Sequence, residues 1–148
     1  MREVKRSALV AQPPSRMFAL INDIERYPDF VPGCTHARIE SQTPTEIVAT
    51  LGVKKGPMHA ELTTRNTLEL DRRVHMSLVE GPFRMLEGDW TLTPVGEGGC
   101  RVDLVMRFAF KNAMSAMIFE PLFEQTAASL VDAFVARARA TAPSANNP

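Results

Sequence analysis

From about Thr35 to Phe110, apolar and polar residues alternate with a period of two. From Asn112 to Ala140 the spacing becomes that of a helix. The clearest alternation runs from Met58 to Leu70. It puts Met58, Ala60, Leu62, Thr64, Asn66, Leu68 and Leu70 on one face, and His59, Glu61, Thr63, Arg65, Thr67 and Glu69 on the other. Period two over that length predicts a strand. The same parity predicts strands with Ile47, Ala49, Leu51 and Val53 inward, and with Val74, Met76 and Leu78 inward. Two more turn Leu86, Gly88, Trp90 and Leu92, and then Cys100, Val102, Leu104, Met106, Phe108 and Phe110, to the same side. Gly96 to Gly99 reads as the hairpin turn between these last two. Glu3 to Val10 and Thr35 to Ser41 supply the remaining strands, with two short helical segments between them, around Met17–Ile21 and Tyr27–Gly33. The expected architecture is α+β, a curved seven-stranded antiparallel sheet wrapped around one long C-terminal helix.

An antiparallel sheet with one apolar face must cover that face. Only one segment is long enough to do so. A single helix gripped by a curved sheet leaves part of the interior unfilled, which predicts a container for an apolar ligand. Within the helix, Met114, Met117, Ile118 and Leu122 form one stripe and Phe123, Ala127, Leu130, Val131 and Phe134 another, on nearly opposite sides. Pro121 stands at the changeover and predicts a break or kink. Phe123 to Ala138 then packs on the sheet, and Met114 to Leu122 faces the cavity mouth. Trp90, Leu130 and Phe134 are expected beneath the helix.

The 148 residues suit one domain, residues 1–140, followed by a small polar tail at 141–148. A chain of this size buries about 70% of its unfolded surface without staples. Lys plus Arg number 17 and so do Asp plus Glu. Zero net charge argues against a general nucleic-acid binder and against DNA as a partner. The N-terminus has no apolar signal core and no run approaches the length of a membrane span, so a cytoplasmic protein is expected. The two cysteines do not make a disulfide framework. If strand one lies between strands two and seven, Cys34 and Cys100 stand about 10 Å apart, out of reach of each other.

No metal-binding spacing links the three histidines, and no Gly-x-Ser-x-Gly, phosphate-binding or dinucleotide fingerprint is present. Arg6 and Glu80 share the inward parity and are the two candidates for a polar handle inside the cavity; a strand-end residue reaching water accounts for each equally well. Met58, Met76 and Met106 offer adaptable apolar surface. Gly88 leaves room where a side chain would stand. Thr64 and Asn66 place a few polar atoms in an apolar wall, as a ligand with a polar head and a greasy tail requires.

Four stretches carry a family resemblance. They are Arg6-Ser7-Ala8-Leu9-Val10, Tyr27 to Cys34, Thr63-Thr64-Arg65-Asn66, and Gly81-Pro82-Phe83 with Leu86, Gly88 and Trp90. Val131-Asp132-Ala133-Phe134 with Arg137-Ala138 extends it into the last helix. These resemble the coenzyme Q-binding START-domain family, which includes the bacterial RatA-type ribosome-association proteins. Gly33 departs from the pattern, since relatives carry Trp before the Cys. The resemblance implies the START-like helix-grip fold and a non-catalytic protein. Such a protein binds ubiquinone or a related lipid in support of respiratory electron transfer, with transient contact at the inner membrane. The same family carries a second expectation, binding to the large ribosomal subunit with a block of subunit association. A third, through related polyketide cyclases, is enzymatic and needs an acid–base pair for which only Arg6 and Glu80 are available. The expected ligand-binding set is Phe30, Met58, Leu62, Thr64, Asn66, Met76, Leu78, Phe83, Gly88, Trp90, Met106, Phe108, Leu122 and Phe134, with no catalytic residue and no metal ligand. The mouth is expected between the Tyr27–Cys34 loop, the Gly81–Met85 turn and the Met114–Leu122 segment.

Overall fold

A computed structural model describes residues 2–141. Strand β1 (Arg2–Val10) leads into helix α1 (Pro14–Asn22) and a 3₁₀ segment (Ile24–Asp29). Six strands follow: β2 (Cys34–Thr43), β3 (Glu46–Lys55), β4 (Met58–Glu69), β5 (Arg73–Glu80), β6 (Phe83–Val95) and β7 (Gly99–Phe110). Helix α2 (Ala113–Thr141) closes the described chain. The expected polar tail lies outside the described residues, except for Thr141, which ends α2.

All pairings are antiparallel, in the order β1-β7-β6-β5-β4-β3-β2. The expected place of β1 between β2 and β7 is therefore wrong. β1 pairs only with β7, and β1 and β2 form opposite edges of an open sheet. The connection through α1 carries the chain from one edge to the other, and the 3₁₀ segment packs on β2 where a β1–β2 ladder would have been. Pro14 opens α1, where its missing N–H costs nothing. Both cysteines are free.

The inner face follows the alternation. Leu86, Gly88, Trp90 and Leu92 of β6 are buried, as are all six inward residues of β7 from Cys100 to Phe110. Trp90 and Phe134 are fully enclosed and meet edge-on, with ring centroids 5.1 Å apart. Phe83, Phe108 and Phe110 of the sheet close with Phe123 of α2 into a compact aromatic cluster. The outer face is polar and paired, with Arg107–Glu3 at 2.7 Å, Arg38–Glu40 at 2.6 Å and Arg73–Asp89 at 2.6 Å.

The predicted break at Pro121 is not found, because α2 is one uninterrupted helix of 29 residues. Asn112 starts it, its side-chain oxygen accepting from the Ser115 N–H at 2.8 Å. Pro121 removes one interior hydrogen bond. It sits on the exposed side of the helix, as does Met117, whose carbonyl loses its donor and remains open to water. The change of stripe has a different meaning: Met114 and Met117 face solvent, 68% and 74% exposed, while the later stripe faces the sheet.

Candidate functional site

A cavity of about 90 Å³ lies between α2 and the inner face of β3, β4 and β5, closed on its far side by β6 and β7. Ala49, Leu51, Leu62, Met76, Leu86, Trp90 and Met106 build the sheet wall. Phe119, Leu122, Phe123, Thr126, Ala127, Leu130 and Phe134 build the helix wall. Ile24, Tyr27, Val31, Pro32, Val53, Ala60 and Pro82 complete the lining. No Asp, Glu, Lys, Arg or His lines it.

The expected set divides in two. Leu62, Thr64, Asn66, Met76, Trp90, Met106, Leu122 and Phe134 all lie on the wall. Phe30, Met58, Leu78, Phe83, Gly88 and Phe108 do not. Met58 has the right parity but stands at the β3–β4 hairpin, beyond the reach of the helix, and is 41% exposed. Phe83 and Phe108 face inward and are consumed by the aromatic cluster. Phe30 braces the wall from behind, edge-on to Phe134 at 5.1 Å, with the Arg137 guanidinium 5.2 Å over its ring. Leu78 is half-buried and packs where a side chain at Gly81 would stand, its Cδ1 at 3.4 Å from that point. A Cβ added to Gly88 would come 2.6 Å from the Met76 methyl, so the space Gly88 leaves is taken by Met76 and not by the cavity. Of the segments expected at the mouth, Pro32, Pro82, Phe119 and Leu122 line the cavity, whereas Phe30 and Phe83 pack in the core around it.

Arg6 and Glu80 are both outside. Arg6 is exposed, donates to the Lys5 carbonyl at 2.8 Å and borders a surface groove beside Pro121 and Glu124. Glu80 is exposed at the end of β5. β3 contributes wall residues that the candidate set omitted, and its alternation of Ala49, Leu51 and Val53 already carried that signal. Tyr27 and Thr126 come from the 3₁₀ segment and from α2, where period two is silent.

Two wall groups ionise, and both are held neutral. Burial pushes the Cys34 thiol up to about 11. Burial also raises the Tyr27 phenol, whose hydroxyl donates to the Ile21 carbonyl. Neither is a nucleophile or base at neutral pH. Gly33 has φ +80°, and a Cβ there would meet Leu122 at 3.2 Å. The absence of a side chain lets α2 lie close over this loop.

A cavity of this shape has a known context. A family profile described as polyketide cyclase/dehydrase and lipid transport matches residues 10–135. The chain belongs to this family. Among curated relatives, the ribosome association toxin RatA of Escherichia coli K12 is 38% identical over 94% of this chain and 88% of its own. The mitochondrial coenzyme Q-binding protein COQ10 of Saccharomyces cerevisiae is 27% identical over 93% of this chain and 70% of its own. Among solved structures, the Zhui aromatase/cyclase of Streptomyces sp. R1128 superposes with a TM-score of 0.85 at 18% identity, covering 99% of both chains. That last likeness concerns the fold. The START-like helix-grip fold is thus found in relatives named for ribosome association and for coenzyme Q and in a solved structure named as an aromatase/cyclase, so the fold alone does not decide the function. No helix among the described residues is long and apolar enough to cross a membrane.

Proposed function

We propose that this protein binds ubiquinone or a related apolar lipid in the cavity under α2 without altering it, in support of respiratory electron transfer. The observation that carries the reading is the wall itself: apolar, free of charged side chains and lacking a group that ionises near neutral pH. An acid–base mechanism needs a convergent pair in reach of the substrate, and Arg6 and Glu80 lie elsewhere. The cavity is smaller than the roughly 150 Å³ that accommodates benzene in an engineered apolar site. Entry of a quinone ring therefore requires Met76 and Met106 to move aside, which unbranched thioether chains do at low cost. An isoprenoid tail would leave through the mouth, past Phe119 and Leu122. Met114 and Met117 stand uncovered on the first turns of the same helix, consistent with transient contact at the inner membrane by an otherwise cytoplasmic protein. Organic extraction of the purified protein followed by mass spectrometry tests the reading. A co-purifying quinone is expected, and failure to bind added ubiquinone would overturn it.

A second reading is association with the large ribosomal subunit and a block of subunit joining. It is favoured by relatives 36–39% identical that carry the name ribosome association toxin. The outer face gives it little electrostatic support, because many of its arginines are paired. Co-sedimentation of lipid-free protein with large subunits would move this reading to first place.

A further inference from the structure

Six side chains with a hydrogen-bond donor line the cavity, and four have their donors spent, which leaves Asn66 and the Trp90 indole N–H. Tyr27 donates to the Ile21 carbonyl, Thr126 to the Pro32 carbonyl at 3.2 Å, and Cys34 to the His36 carbonyl at 3.5 Å. Thr64 donates to the Asn66 side-chain oxygen at 2.9 Å. Asn66 is only 5% exposed. Its Oδ1 is satisfied by Thr64, while its Nδ2 makes no hydrogen bond to the described residues and is not fully enclosed, so it stays accessible at the wall. Buried amide donors almost always find an acceptor. This one sits mid-strand on β4, opposite Ile47 of β3 and Met76 of β5, on the wall of an apolar cavity.

We propose that Asn66 is the specificity-determining residue of the cavity. Its Nδ2–H donates to a carbonyl oxygen of the bound molecule, with Thr64 as the positioning residue that holds the amide in that orientation. This deepens the lipid reading above and rests on it. The ligand class that follows is a neutral, apolar molecule with a carbonyl on its ring. A charged head would meet no counter-charge on this wall. A hydrocarbon would leave the amide unpaired, and a quinol hydroxyl could accept from it but would bring a donor of its own that this apolar wall must also satisfy. The oxidised quinone, which only accepts, therefore fits better than the quinol. A site built around a hydrogen bond rejects analogues lacking the partner atom more strongly than a hydrophobic wall discriminates by size.

The test is calorimetric titration of the full chain with a short-chain ubiquinone, its quinol and butylbenzene, beside infrared spectra of the bound quinone. The parent is expected to bind the quinone more tightly than the quinol. It should also shift one carbonyl band to lower frequency than in hydrocarbon solvent. Asn66→Leu should weaken quinone binding by about tenfold, abolish the band shift, and leave butylbenzene binding unchanged or tighter. Thr64→Val should lower the quinone-to-butylbenzene selectivity without matching that loss, which a merely structural role would not do. The infrared readout on the parent needs no variant, and Asn66→Thr serves if the leucine variant does not fold. Equal quinone affinity in parent and folded variant overturns the role of Asn66 alone. So does a parallel loss of quinone and butylbenzene, an unshifted band in the parent, or preference for the quinol. A parent that binds butylbenzene but no ubiquinone overturns both this role and the quinone reading. A parent that binds none of the three removes the cavity as a lipid site.

Discussion

Two parts of the same inner face meet the same helix with opposite results. On the β6–β7 side, Phe83 and Phe110 stack at 4.6 Å, and Phe123 of α2 drops edge-on between Phe83 and Phe108 at 4.9 and 4.7 Å. Phe83, Phe108 and Phe110 border no part of the cavity. On the β3–β5 side, the inward residues include Ala49, Ala60, Leu62 and Thr64, and the helix offers Thr126 and Ala127. Short side chains on both surfaces cannot meet across the gap, and the cavity is what remains. Strand alternation is equally regular on both sides. Side-chain volume at alternate positions decides which part is solid and which is hollow.

The largest effect should come from truncating the solid side. Phe108 is fully buried within the ring cluster, so Phe108→Ala should cost about 3–5 kcal/mol in urea unfolding. Leu51 is half-buried on the hollow wall, next to space that already exists, so Leu51→Ala should cost about 1–2 kcal/mol. Equal losses would mean the two regions are packed alike.

Next in size is the reverse operation, filling the hollow side. The Met76 methyl occupies the space above Gly88 at 2.6 Å from where a Cβ would stand. Gly88→Ala should push that flexible chain into the cavity and weaken ubiquinone binding about tenfold, near 1.4 kcal/mol. Thermal stability should change little, since the clash is with the free end of a methionine. Unchanged affinity with a normal melt would show that Met76 has another place to go, and that Gly88 does not set the cavity volume.

Smaller again is the effect of the uncovered methionines. They contribute little to the fold, so the double change Met114→Ser with Met117→Ser should alter stability by no more than about 0.5 kcal/mol. Transfer of ubiquinone between vesicles should slow while affinity in detergent-free buffer stays the same. Equal transfer rates would separate the mouth from any lipid surface.

These contrasts also mark what the sequence could disclose. Period two identified the faces of β4, β6 and β7 down to Gly88, because a pleated strand has only two sides. It could not disclose depth. Met58 shares the parity of Leu62 and Asn66, yet its strand starts before the helix covers it. Arg6 shares the parity of Val4 and Val10, yet β1 is an edge strand and the side chain lies on the outer flank of α2. Phe83 and Phe108 point inward like Trp90, but whether an inward ring lines a void depends on rings contributed by β7 and α2, far off in sequence. The stripes of α2 were legible and their cause was not: Pro121 lies inside one unbroken helix, Phe119 before it still packs on the core, and Met114 and Met117 face solvent. Asn66 was visible as a polar residue on an apolar face. Its free amide became visible only when the hydrogen bonds of Tyr27, Cys34, Thr64 and Thr126 were traced.

The smallest effect concerns pH, and it separates outer from inner face. On the outer face, the carboxyls of Glu3, Glu40 and Glu61 are held below the ordinary value of 4.5, mainly by hydrogen bonds from Arg107, Arg38 and His36 respectively. A depressed folded-state value means stabilisation that is present above the ordinary value and lost as pH falls through the folded one. All three groups are solvent-exposed, so salt should shrink the effect. Stability is therefore expected to be flat near neutrality and to decline below about pH 4.5, and Glu40→Gln should flatten part of that decline in low salt. The inner face carries no such carboxyl, and its Cys34 thiol is pushed up to about 11. Ubiquinone affinity should then stay constant from about pH 5 to about pH 9 while the protein remains folded. A step in affinity inside that window would place an ionising group against the ligand, and the wall would have to be redrawn to include it.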